Sequence, residues 1–236
     1  MIRHVAFDAD DTLWHNERIF LEARQRFIQL LAPYHDARWI EERLDDTELR
    51  NLDHYGYGIK SFTLSMIETS VELTEGRITG AEISRIVELA KEMLQTPVEL
   101  LEHVAATVAA LAGSYRLMIV TKGDLFDQEA KVAKSGLGDY FERVEVVPQK
   151  DRATYATIVA RNGIDPGEFV MIGNSLRSDI LPVVDVGAHA IYVPYATTWS
   201  HEDVPERVVS QYRFLRAQSM LDVPRLIRLA DGTTSA

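Results

Sequence analysis

"HVAFDADDTLW", His4 to Trp14, is the stretch on which the fold turns. Val5, Ala6 and Phe7 make the short apolar run of a buried strand, and Asp8, Asp10 and Asp11 follow almost at once. Unpaired carboxylates are expensive to bury. A core strand that ends in them therefore calls for a metal, another cation or an opening to solvent at its carboxyl end.

Similar apolar runs recur downstream as "RLMIV" (116–120), "RVEVV" (143–147), "FVMIG" (169–173) and "AHAIYV" (188–193). Each reads as a strand buried on both faces of a parallel sheet. Helical patterns separate them from residue 98 onward: "ELLEHVAATVAALAG", with Gly113 as a stop, then "DQEAKVAKSGL", "ATYATIVARNG" and "SDILPVVDVGA". Strand–helix alternation of this length predicts an α/β fold, a doubly wound parallel sheet with helices on both faces.

Residues 16–97 interrupt that alternation with four amphipathic helical stretches and no strand. Thr79 and Glu82 have the spacing of a capping box at the start of the last helix. The domain expectation is an α/β core of residues 1–15 and 98–236, with an inserted helical domain at 16–97.

The bulk numbers narrow the function classes. The chain has 236 residues, a formal net charge of −11 and no cysteine. The charge argues against a nucleic-acid binder or a protein of anionic membrane surfaces, although a metal can still reverse the local sign for an anionic substrate. The lack of cysteine excludes disulfides and thiolate metal sites. No apolar run approaches the ~20 residues of a membrane span, and Met1–His4 leads directly into the strand without a signal-peptide pattern, so a soluble, cytoplasmic protein is expected. The seven histidines show no metal-ligand spacing.

Ligands of open parallel sheets bind outside the carboxyl ends of the strands. Asp8 and Asp10 fall there, as do Thr121 and Lys122 after "RLMIV", Lys150 after "RVEVV", and "GNSLRSD" (173–179) after "FVMI". One crevice can collect all of them.

In this order the motifs resemble those of the haloacid dehalogenase superfamily. "FDADDTLW" is similar to its first motif, "IVTKGD" to the second, Lys150 in "KDRATY" to the third and "IGNSLRSDI" to the acidic fourth, with Asn174 where Asp is common. The helical insertion resembles the family's cap. The resemblance implies that Asp8 is a nucleophile toward phosphorus and that Asp10 is the acid/base for the leaving alcohol and the incoming water. It also implies Mg²⁺ held by Asp8, the Asp10 carbonyl and Asn174, with Asp179 as ligand or support. Thr121 and the Lys122 backbone would hold phosphoryl oxygens, and Lys150 would neutralise both Asp8 and phosphate. Thr12 is read as fixing the loop, and Asp11 as an exposed loop residue.

The function expected is a Mg²⁺-dependent phosphatase for a small phosphorylated metabolite. Within the same family a phosphomutase and a 2-haloacid dehalogenase remain open. Asp10 weighs against the latter, because halide departure needs no proton. A non-catalytic phospholigand-binding protein is a fourth reading, supported by Asn174. Tyr55, Tyr57 and Lys60 are candidates for substrate contact, Trp14 and His15 for gating or packing, and "TTWSHED" (197–203) for the rim of the crevice.

Overall fold

The structure is a computed structural model, and it describes residues 1–197 and 202–232. Its contacts divide the chain into two units: Met1–Glu17, Val98–Lys122 and Glu129–Ala236 form one, Arg18–Pro97 and Gly123–Gln128 the other.

The first unit holds a parallel sheet of six strands: β1 (His4–Phe7), β2 (Arg116–Lys122), β3 (Arg143–Val147), β4 (Phe169–Gly173), β5 (His189–Tyr192) and β6 (Leu215–Arg216). Their order is β3-β2-β1-β4-β5-β6, so the strand order reverses beside β1, at the edge it shares with β4. In register, His4 lies opposite both Arg116 of β2 and Phe169 of β4. The strands expected from apolar runs are all present. β6 was not anticipated, because two residues carry no pattern.

Ten α-helices complete the described chain: α1 (Glu17–Leu31), α2 (Ala37–Tyr55), α3 (Ile59–Leu73), α4 (Gly80–Gln95), α5 (Val104–Ala112), α6 (Leu125–Lys134), α7 (Arg152–Arg161), α8 (Leu181–Asp185), α9 (Glu206–Val209) and α10 (Val223–Ala230). Alternate residues of β1 leave on opposite faces of the sheet. Val5 and Phe7 join a core with Val104 and Val108 of α5 and Ile227 of α10. Ala6 joins the opposite core with Tyr155 and Ile158 of α7 and Val183 of α8. Burial on both faces explains the continuous apolar runs of β1, β2 and β4. By contrast, β3, expected to be buried in the same way, lies at the sheet's edge with its residues exposed or half-buried.

In the second unit α1 to α4 bury their own core, including Phe27, Leu31, Leu44, Phe62, Met66 and Ile86. Asp36 caps α2 by accepting from the Trp39 amide at 3.0 Å. The capping box forms as expected: the Glu82 amide donates to the Thr79 hydroxyl at 3.2 Å, and the Thr79 amide to Glu82 at 2.8 Å. Arg24 of α1 reaches Asp45 and Glu48 of α2, each at 2.5 Å. Among the described residues no helix is long and apolar enough to cross a membrane.

Candidate active site at the carboxyl end of the sheet

β1 ends where its ladder to β4 takes one further step, the Asp8 amide donating to the Ile172 carbonyl at 2.8 Å. The chain then turns tightly. The Leu13 amide donates back to Ala9 O at 2.8 Å, and the Asp11 amide to Trp14 O at 2.7 Å. Asp11 sits at the turn with φ 62°, a left-handed conformation that Asp tolerates better than most residues. This turn sends the three carboxylates to different partners.

The Asp8 side chain is buried and accepts from Lys150 on one oxygen and from the Thr12 hydroxyl, at 2.9 Å, on the other. Lys150 also donates to Asp179 at 2.7 Å, and the second Asp179 oxygen accepts from the Ser175 amide at 2.9 Å. Two carboxylates thus share one buried ammonium, leaving one negative charge in excess. Burial and the charge of Asp179 push the Asp8 carboxyl up to about 7, against the pull of Lys150. Burial alone would lower Lys150. The charges of Asp179 and Asp8 overcome it and push the ammonium up to about 12.

Asp10 takes a separate path. Its carboxylate accepts from the Trp14 indole at 2.7 Å and from Lys131 of α6 at 3.1 Å to each oxygen. Asp8 and Asp10 therefore rest on different lysines, although Asp10 is near enough for its charge to raise Asp8.

Asp11 corrects an expectation. It is buried, 7% exposed, and its carboxylate accepts from the amides of Asn16 and Glu17 where α1 begins. Burial nevertheless pushes it up to about 6.

β4 delivers the fourth motif. A Cβ on Gly173 would overlap the Asp179 carboxylate, so the close approach, and not an unusual φ, demands glycine here. Asn174 Oδ1 lies 3.2 Å from the Thr12 hydroxyl, whose single proton has the nearer, charged acceptor in Asp8. The chain next makes a wide π-type turn over Leu176–Ile180, in which the Leu181 amide donates to Leu176 O, and only then enters α8. The sequence pattern suggested one helix from Ser178. Ser175 is the residue that caps the turn, accepting from the Ser178 amide at 3.0 Å, which leaves Asp179 buried and bound to Lys150.

At the end of β2, Thr121 is buried and Lys122 sends its ammonium to Ser178 at 2.9 Å and to Glu202 at 2.5 Å. Glu202 also accepts from the hydroxyls of Ser175 and Ser178. Burial raises its carboxyl, but Lys122 and the hydroxyls outweigh that and leave it below the usual range. The Tyr155 hydroxyl donates to Ser178 O at 3.1 Å, which accounts for the aromatic five residues after Lys150.

Lys131 falls outside every stretch that the sequence places at the crevice, whereas Ser175, Ser178 and Glu202 lie within 173–179 and 197–203, two stretches placed there, without being distinguished individually. A lysine on a helix and serines in a loop carry no local signal, since their roles arise from partners distant in the chain. Trp14 is a core residue with a donor on Asp10, and His15 pairs with the Tyr195 hydroxyl at 2.7 Å. In the helical unit Tyr55 is exposed, Tyr57 half-buried, and Lys60 pairs with Asp124 at 2.9 Å. Of the stretch 197–203, residues 198–201 lie outside the described residues.

The chain has relatives among known proteins. The family model described as haloacid dehalogenase-like hydrolase matches residues 2–187. The chain is similar to the N-acylneuraminate-9-phosphatase of Homo sapiens, 26% identical over 99% of this chain and 97% of the relative. It is also similar to the 5-amino-6-(5-phospho-D-ribitylamino)uracil phosphatase YigB of Escherichia coli, 22% identical over 89% and 93%. Among solved structures, a haloacid dehalogenase-like family hydrolase from Xanthomonas campestris superposes with a TM-score of 0.87. It is 44% identical, over 98% of this chain and 92% of that one.

Proposed function

The chain belongs to the haloacid dehalogenase-like hydrolases, and from that premise we propose that it is a phosphatase which hydrolyses a small-metabolite phosphomonoester through an aspartyl-phosphate at Asp8. The observation that carries the reading is Asp8 itself, a buried carboxylate fixed between Lys150 and Thr12 at the switch point of the sheet. The phosphatase names of the relatives support the same class and a small phosphorylated substrate.

An Asp8 oxygen attacks phosphorus, and the O–P bond forms as the ester O–P bond breaks. Asp10 gives its proton to the departing alkoxide, then takes one from the water that hydrolyses the acyl phosphate. Orthophosphate and free Asp8 result. Lys150 holds Asp8 and offers positive charge to the phosphoryl group, while Thr121 and the Lys122 backbone bind its oxygens.

The donor set suits Mg²⁺. Among the described residues no three His, Cys, Asp or Glu side chains converge on a metal position. The ion would therefore rest on Asp8, the Asp10 carbonyl and the Asn174 carbonyl, all hard oxygens. Asn174 Oδ1 has only a share of the Thr12 proton, and the cluster carries an uncompensated negative charge, so both ask for a cation. Asp179, engaged by Lys150 and Ser175, takes the supporting part. When bound, the ion supplies charge stabilisation to the phosphoryl group. Residues 16–97 form the cap that selects the substrate, with Tyr55, Tyr57 and Lys60 as its candidate contacts.

The test is p-nitrophenyl phosphate hydrolysis with Mg²⁺, with EDTA and in Asp8→Asn. Metal-dependent turnover that vanishes in the variant supports the proposal. Turnover that survives Asp8→Asn rules out Asp8 as the nucleophile.

A further inference from the structure

We propose that Lys131 is a positioning residue for Asp10, and that with Trp14 it fixes the point at which the leaving group is protonated. The inference rests on the reading of Asp10 as acid/base.

The Lys131 ammonium lies 3.1 Å from both Asp10 oxygens and 2.9 Å from Asn16 Oδ1. Its side chain is 13% exposed, so the pair is sheltered where a surface ion pair would be weakened by solvent. Trp14 adds its indole donor at 2.7 Å, and the ring is itself locked, 1% exposed, within the core beneath the sheet's end. An aspartate free of partners samples several rotamers. Here two donors, one anchored in a helix and one in the core, hold a single orientation. They also keep Asp10 apart from Lys150, which serves Asp8 and Asp179. The two carboxylates have different tasks, attack on phosphorus and proton transfer to the ester oxygen, and each has its own lysine. Misplacing a catalytic group by about an ångström can cost a hundredfold in rate.

A purely structural Lys131 would tie α6 to the turn, and its loss would lower stability or slow every substrate alike. A positioning role predicts selectivity among leaving groups, because the benefit of a proton donor grows as the departing oxygen becomes more basic. The experiment compares kcat/KM for 2,4-dinitrophenyl, p-nitrophenyl and phenyl phosphate in wild type, Lys131→Met, Lys131→Arg and Asp10→Asn. We expect Lys131→Met to lose at least about tenfold more on phenyl than on dinitrophenyl phosphate. Asp10→Asn should lose more steeply still, and Lys131→Arg should return toward the wild-type slope. If Lys131→Met does not fold, Lys131→Gln carries the same comparison. Equal losses across the three esters, or none, overturn the role of Lys131 while Asp10→Asn remains steep. A flat Asp10→Asn series overturns the acid/base reading beneath it.

Discussion

At the scale of single residues, the site is governed by a charge imbalance that only partners can relieve. Lys150 faces Asp8 and Asp179 together, and removing a buried ion's partner is costly because the remaining charges stay in a poor solvent. Lys150→Met should therefore lower unfolding free energy by about 3 kcal/mol in urea titrations at neutral pH. Adding Asp8→Asn to that variant should recover part of the loss, since one of the two facing charges disappears. Equal stability of Lys150→Met and wild type would contradict the picture. Gly173→Ala is a sharper probe, because the new methyl would displace the Asp179 carboxylate from Lys150 and from the Ser175 amide. A cost of about 1–3 kcal/mol and a large loss of turnover are expected. An unperturbed enzyme would show that Asp179 has room to move.

Among the elements, legibility followed pattern length. The five longer strands and the four helices of residues 16–97 announced themselves through apolar periodicity, and the capping box at Thr79 through spacing alone. What stayed hidden depends on partners far along the chain. Lys131 meets Asp10 from 121 residues away, Lys122 finds Glu202 from 80 away, and nothing local marks either pair. Asp11 departs from the rule that a polar residue beside a turn faces water, because here it is buried and caps α1. The helical unit contains a burial of a different kind. Glu48 recovers less from Arg24 than it loses by desolvation and is pushed up to about 7, while Arg24, gripped by two carboxylates, is raised too. A carboxyl with a folded-state value above its unfolded one stabilises below the unfolded value, and that contribution is lost as pH rises through 7. Relative to Glu48→Gln, the wild type should therefore lose about 2 kcal/mol between pH 5 and pH 8. Urea unfolding of both proteins at the two pH values checks this, and a gap that does not change with pH would refute it.

For the whole molecule, the formal charge of −11 opposes the approach of a phosphomonoester even though lysines line the site. Screening should relieve that long-range repulsion more than it weakens the buried contacts. We expect kcat/KM for p-nitrophenyl phosphate to rise by up to roughly threefold between about 20 and 200 mM NaCl. A fall would mean that the local lysines, not the net charge, control encounter. The placing of β1 has a consequence during synthesis. His4 pairs with Arg116 and Phe169, so the strand leaves the ribosome 112 residues ahead of one neighbour and 165 ahead of the other. At about 5–20 residues per second it waits roughly 6 to 22 s for the first of them. All that time it is an apolar ribbon with both edges bare. Proteolysis of stalled nascent chains should find residues 18–97 protected while His4–Phe7 is still cut. Asp8, Asp10 and Asp11 then act as gatekeepers, keeping the waiting strand from stacking onto another nascent chain before any substrate has been met.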